Sequence, residues 1–153
     1  MDKHILDYFN GKLYHKETIK NWQLPPFLEE QLGLDEYEYF FLTTSTEQEK
    51  HGNDHIHISL FPTKYDLVYL LEVETSTILP KLLHDSLNLI KQAGKDIITS
   101  TGFCSSENLC YFGIFFSSKN VEQFDNLLDQ IKKLENVHDA LVFQYSCEGC
   151  KQI

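Results

Sequence analysis

The chain has 153 residues and a formal net charge of −10, from 23 acidic residues against 13 basic ones, and all 13 basic residues are lysine. An acidic surplus excludes wrapping nucleic acid by bulk electrostatics, and the lack of arginine removes the bidentate grip best suited to guanine or phosphate. With 42% hydrophobic and 13% aromatic residues the chain can bury a core, which excludes disorder for most of its length.

Composition divides the sequence into two units, residues 1–63 and 64–153. The first holds five lysines against eleven acids and is punctuated by Pro25, Pro26, Gly33 and a polar stretch over residues 43–54. The second holds eight lysines against twelve acids and alternates strand-like with helix-like runs. The opening MDKHILDYFNGK lacks the apolar run of a signal peptide, and the longest near-apolar run, residues 109–116, is too short to cross a bilayer. The expectation is a soluble cytoplasmic protein with no membrane partner.

In the first unit, Lys12, Lys16 and Lys20 recur every four residues around His15, with Glu17 as the one acid among them. They read either as a solvated edge or as the contacts to DNA, if DNA is bound. The segment QLPPFLEEQLGLD, residues 23–35, predicts a short helix: Pro25 and Pro26 start it, Phe27, Leu28 and Leu32 form its apolar side, and Gly33 stops it. Residues 37–43 and 55–61 then read as the arms of a hairpin with a long polar loop. His51, His55 and His57, with Asp54 nearby, suit a divalent transition metal. The same alternation equally describes a half-exposed strand with Ile56 and Ile58 pointing inward.

The second unit opens with a nearly continuous apolar strand over residues 67–73. Ile78, Leu79, Leu82, Leu83, Ser86, Leu87 and Ile90 follow at helical spacing, with Ser76 or Thr77 as N-cap and Gly94 as stop. Strands over residues 97–103 and 109–116 flank a turn through residues 105–108. A second helical stripe runs through Val121, Phe124, Leu127, Leu128, Ile131 and Leu134, and residues 140–145 form a last strand. The order is β-α-β-β-α-β, the split βαβ or ferredoxin-like pattern. The predicted class is therefore α+β: an antiparallel four-stranded sheet with two helices on one face and its first and third strands central, preceded by a small β unit.

Cys104 and Cys110 flank the hairpin turn, and Cys147 and Cys150 form a C-x-x-C step. With no export signal they are expected as thiols or metal ligands rather than as a disulfide framework. Because the turn and the exit of the last strand share one end of such a sheet, all four thiols can gather there. Inert thiols, a structural zinc site and a redox pair all remain open. Apart from that zinc no cofactor is expected. No Gly-rich phosphate loop, G-x-S-x-G turn or paired-carboxylate motif is present, so the chain is not expected to be an enzyme.

Two resemblances extend this reading. Residues 66–146, with the apolar first strand, the ETSTILP turn and the helix ending in Gln92, Ala93 and Gly94, resemble an ACT-type small-molecule-binding regulatory domain. By position that resemblance implies ligand contacts at Glu74, Thr75, Ser76 and Thr77 and at Ile98, Thr99 and Ser100, with an amino-acid-like ligand at a subunit interface. The ETSTILP turn has no glycine where many ACT domains have one, and Thr75, Ser76 and Thr77 would simply cap the helix in the plainer reading. Residues 12–62, through QLPPFLEEQLGLD and into Tyr39, Phe40, Phe41 and Leu42, resemble the AbrB/SpoVT swapped-hairpin type. This implies an intertwined homodimer or higher homo-oligomer. Glu29 and Glu30 stand where that type is often basic, so the dimeric scaffold is favoured over DNA binding. The combined expectation is a non-enzymatic homodimeric regulator that senses a small metabolite, with a zinc or redox module built on the four cysteines as the alternative.

Overall fold

A computed structural model of the chain describes residues 10–46, 56–119 and 123–148. Its elements are β1 (Asn10–His15), α1 (Lys16–Asn21), α2 (Pro26–Leu32), β2 (Tyr39–Thr46), β3 (Ile56–Thr63), β4 (Leu67–Thr75), α3 (Pro80–Gln92), β5 (Asp96–Ser106), β6 (Leu109–Ser118), α4 (Asp125–Lys132) and β7 (Val137–Glu148). The class is mixed α+β, and no helix among the described residues is long and apolar enough to cross a membrane.

All seven strands join one sheet in the order β3-β2-β1-β7-β4-β6-β5. Four of them, β7-β4-β6-β5, pair antiparallel throughout, as do β3-β2-β1. The two groups meet where β1 runs parallel to the last residues of β7, with Leu13 opposite Cys147 and Tyr14 opposite Glu148. The first and second halves of the chain therefore share a sheet, and the break near residue 63 falls between β3 and β4.

Alternation along β4 and β6 sends side chains to two covered faces. Tyr69, Leu71 and Val73 with Phe112, Ile114 and Phe116 meet Leu82 and Ile90 of α3 and Leu127 and Ile131 of α4, so both helices cover the same face. Val68 and Leu70 with Tyr111 and Phe115 point the other way and meet Leu13 of β1 and Phe41 of β2. A strand buried on both faces has no polar side to alternate with, which is why residues 67–73 of β4 read as a nearly continuous apolar run interrupted only by Glu72. The outer face of β1-β2 is covered in turn by α1 and the segment after α2, where Ile19, Leu34 and Phe40 form a third cluster.

That arrangement requires the sheet to fold back on itself. Phe41 on β2 and Phe115 on β6 belong to strands four places apart, about 19 Å in a flat sheet. Their ring centroids are 5.3 Å apart. The bend lies at the β1–β7 junction and brings the two terminal strands, β3 and β5, to face each other. Gly11 of β1 lies under the Phe41–Phe115 contact, where an added Cβ would meet Phe41 Cζ at 2.7 Å and Tyr145 Cε1 at 3.2 Å.

Several local expectations are revised. α3 begins at Pro80 with Leu79 as N-cap, not with Ser76 or Thr77, because proline at the first helical position supplies its own preset φ. The Thr75 hydroxyl instead donates to the Thr77 carbonyl at 3.0 Å. α1, which the apolar pattern does not signal, is capped by His15, whose Nδ1 accepts from the Glu17 N–H at 3.2 Å. Gly33 ends α2 at φ +70°, and its N–H bonds back to Glu29 and Glu30 carbonyls.

Candidate functional site

The folded sheet encloses a cleft between β2–β3 and β5–β6. It has a volume of about 150 Å³ and is lined by Thr43, His57, Ser59, Phe61, Thr99, Ser100, Thr101 and Phe115. The register explains the set. Thr43 pairs with Ser59 and Phe41 with Phe61, so Thr43, Ser59 and Phe61 face the interior with Phe41, and His57 joins them by alternation. Across the cleft Thr99 and Thr101 share a face with Phe115, and a bulge between Ile97 and Thr99 turns Ile98 to that side as well.

β3 and β5 stay more than 8 Å apart, Cα to Cα, along almost their whole length, too far for direct pairing. Each therefore keeps an outer edge that the other does not pair. Among the described residues, the hydroxyls of Thr43, Ser59, Thr99, Ser100 and Thr101 hydrogen-bond to no other residue and are not sealed from solvent. The hydroxyls of Thr43, Ser59, Thr99 and Thr101 thus converge on one volume, whereas Ser100, paired with Ile114, has the opposite phase on β5. Among the described residues no carboxylate or ammonium side chain lines it, and the one titratable residue there, His57, already has an interaction within the chain.

Behind Phe115 lies a hydroxyl of a different kind. Tyr145 packs against Phe41 and Phe115 at 5.4 and 6.2 Å, and its OH is buried without a hydrogen-bond partner. Burial, and then the nearby Glu72 carboxylate, push its pKa up to about 12.

The expected ligand contacts are only partly gathered. Thr99 and Ser100 line the cleft and Ile98 packs in the core beneath it. Glu74, Thr75, Ser76 and Thr77 lie at the end of β4 and contribute nothing to the lining. Glu74 accepts from the Tyr111 hydroxyl at 3.3 Å, and Thr75 is fully buried. His57 faces the cleft while Ile58 is 64% exposed, so β3 has the opposite phase to the strand reading that put Ile58 inward. His51, Asp54 and His55 lie outside the described residues.

The cysteines are also rearranged. Cys104 and Cys110 are cross-strand partners on β5 and β6, and a disulfide joins them, which corrects the expectation of two thiols or metal ligands. A sulfur committed to a disulfide has no thiolate to offer a metal. Cys147 is placed on β7 opposite Leu13, and Cys150 is outside the described residues. Among the described residues no group of three or more His, Cys, Asp or Glu side chains converges to hold a metal ion.

The lysines proposed for DNA are engaged by acids. Lys16 Nζ donates to Glu38 Oε1 at 2.8 Å, while Lys20 lies 3.8 Å from Glu17 and 3.6 Å from Asp35. Because His15 Nδ1 accepts the capping N–H, its Nε2 is the donor to Glu38 Oε2 at 3.1 Å. Hydrogen bonds from Lys16, and then from His15, hold the Glu38 carboxyl below its ordinary range, and Glu38 raises Lys16. Lys12 has an interaction of its own. No family model matches the chain, and no curated protein matches it.

The residues that composition and spacing missed are Thr43, Ser59, Phe61, Thr101 and Phe115. The Thr99-Ser100-Thr101 run and the His57, Ser59, Phe61 alternation were visible signals. Their convergence depends on the fold-back, which leaves no local mark.

Proposed function

We propose that the chain is a non-catalytic regulatory protein that senses a small molecule in the cleft between β2–β3 and β5–β6. The observation that carries this reading is the convergence of four hydroxyls, those of Thr43, Ser59, Thr99 and Thr101, with no hydrogen-bond partner among the described residues, on a cavity of about 150 Å³ floored by Phe61 and Phe115. A small apolar-walled recess with a few converging polar groups is the usual form of a ligand site. Among the described lining residues no hydroxyl is hydrogen-bonded to a base, and binding rather than turnover is the activity assigned.

The strand order β7-β4-β6-β5, with α3 and α4 on one face, supports a ferredoxin-like assignment for residues 67–148. The strand, short helix and hairpin of β1, α2 and β2–β3 follow the order expected of the swapped-hairpin resemblance, although here β2 pairs with β1 of the same chain. A homodimer is the proposed assembly, with Phe27, 62% exposed on α2, and Trp22 and Tyr37 as apolar surface open to it. No DNA-binding role is assigned, since Lys16 and Lys20 are already paired with carboxylates.

The test is a thermal-shift panel of metabolites on the full chain and on Thr99→Val/Thr101→Val, because a ligand at 100 times its Kd adds about 2.7 kcal/mol of apparent stability. A compound that stabilises the parent chain and not the variant supports the reading. Stabilisation that survives the variant places the ligand elsewhere. Sedimentation at micromolar concentration tests the dimer, and a monomer throughout would remove it.

A further inference from the structure

We infer that the cleft takes a small uncharged ring compound with an amide-type edge, a hydrogen-bond donor beside an acceptor, rather than an amino acid or another ion. This rests on the proposed function, in which the cleft is the ligand site, and it departs from the amino acid that the ACT-type resemblance implies.

Charge decides first. A carboxylate or ammonium entering the cleft gives up water and finds no aspartate, glutamate or lysine side chain among the described residues that line it. Burying an ion without a partner is far more costly than burying a neutral polar group that finds hydrogen bonds. His57 is the one titratable side chain among the described lining residues, and it already has an interaction within the chain. A net charge of −10 opposes an anion further. A zwitterion meets both penalties at once.

Hydrogen-bond capacity decides next. Each serine or threonine hydroxyl both donates and accepts, so Thr43, Ser59, Thr99 and Thr101 adapt to either half of an amide. β3 and β5 are the terminal strands of the sheet, and their outer edges offer main-chain N–H and C=O groups in alternation. An amide carries the complementary pattern in its own two groups.

Shape and size complete the class. Phe61 and Phe115 contribute apolar contact for the face of a flat molecule. About 150 Å³ is the volume that holds a single benzene-sized ring, which excludes a nucleotide or a peptide of several residues.

Isothermal titration of the full chain with matched pairs tests the inference: nicotinamide against nicotinate, uracil against its carboxylated form orotate, with serine and leucine alongside. The same titrations are run on Thr99→Val/Thr101→Val, whose β-branched replacements keep strand propensity and remove two hydroxyls. The expected result is that a neutral member binds at least about tenfold more tightly than its carboxylate, and that the variant weakens it by a similar factor while its melting temperature holds. A carboxylate or amino acid that binds as tightly as the neutral probe, and is weakened by the variant, overturns the uncharged class and leaves the cleft as the site. Binding that the variant does not alter, or no binding of any of these probes at millimolar concentration, overturns both.

Discussion

The rings of Phe41 and Phe115 lie 5.3 Å apart although their strands are separated by β1, β7 and β4 in the sheet. This contact closes the fold. It ties β2, and through it the Thr43 side of the cleft, to β6, whose Phe115 forms the floor. A double-mutant cycle with Phe41→Leu and Phe115→Leu, followed by urea unfolding, is expected to give a coupling of about 0.5–1.5 kcal/mol, as for other packed aromatic pairs. Additivity within about 0.3 kcal/mol would mean that the two halves of the sheet do not support each other here.

Gly11 gives a second measure of the same closure. A Cβ at this position would stand 2.7 Å from the Phe41 ring and 3.2 Å from that of Tyr145, and both rings are held by further aromatic contacts. Gly11→Ala therefore acts as overpacking and is expected to destabilise by about 1–3 kcal/mol. This outweighs the gain of up to about 1 kcal/mol that alanine brings by restricting the unfolded chain. Chemical denaturation reads the sign directly, and a stabilised variant would show that the fold-back is looser than these distances.

The Cys104–Cys110 disulfide closes a loop with a sequence separation of six. Constraining so short a loop in the unfolded chain is worth about 2 kcal/mol in the chain-entropy model. Cys104→Ser/Cys110→Ser, compared with the oxidised parent, is expected to lose about that amount, a fall of roughly 4–8 °C in Tm for a chain of this size. The cleft residues Thr99, Ser100 and Thr101 precede the disulfide on the same edge strand, so the variant is also expected to fray β5 toward the cleft. Faster amide exchange over β5 than over β6 checks this, and equal rates would separate the disulfide from the cleft.

What the sequence disclosed and what it hid divide along physical lines. The burial of Val68 through Val73 on both faces leaves an apolar run that needs no partner to be recognised, and Gly33 marks the end of α2 because glycine adopts φ +70° at no steric cost. The pairing of Leu13 with Cys147 joins residues more than 130 positions apart by two ladder steps, and nothing in either neighbourhood announces it. The cleft inherits that opacity: Thr99 and Ser100 stood out as candidates, but Thr43 and Ser59 face them only because of the bend. Strand alternation along His57, Ile58 and Ser59 has two phases, and the local pattern alone does not choose between them. The disulfide was more legible, since Cys104 and Cys110 flank a turn symmetrically and the hairpin register alone brings their Cα atoms to 3.9 Å. The lack of an export signal pointed to thiols, but the register placed the two cysteines opposite each other.

Tyr145 supplies a test that depends on pH. Its buried hydroxyl has no partner, a defect that costs about 1–3 kcal/mol when a polar group is desolvated without compensation. Tyr145→Phe removes the hydroxyl and keeps the ring between Phe41 and Phe115, so a gain of about 1 kcal/mol is expected at neutral pH. The folded-state pKa, about 12, stands above the ordinary tyrosine value of 10.0 because burial disfavours the phenolate. With a raised pKa, the contribution of the neutral phenol to stability is complete below the unfolded value and is lost as pH climbs through the folded one. The parent chain should thus lose stability between pH 10 and about 12 in excess of Tyr145→Phe, and subtracting the two denaturation curves removes the shared titration of the other tyrosines and the lysines. Parallel curves across that window would mean that water reaches the hydroxyl, and the aromatic seal behind the cleft would then be open.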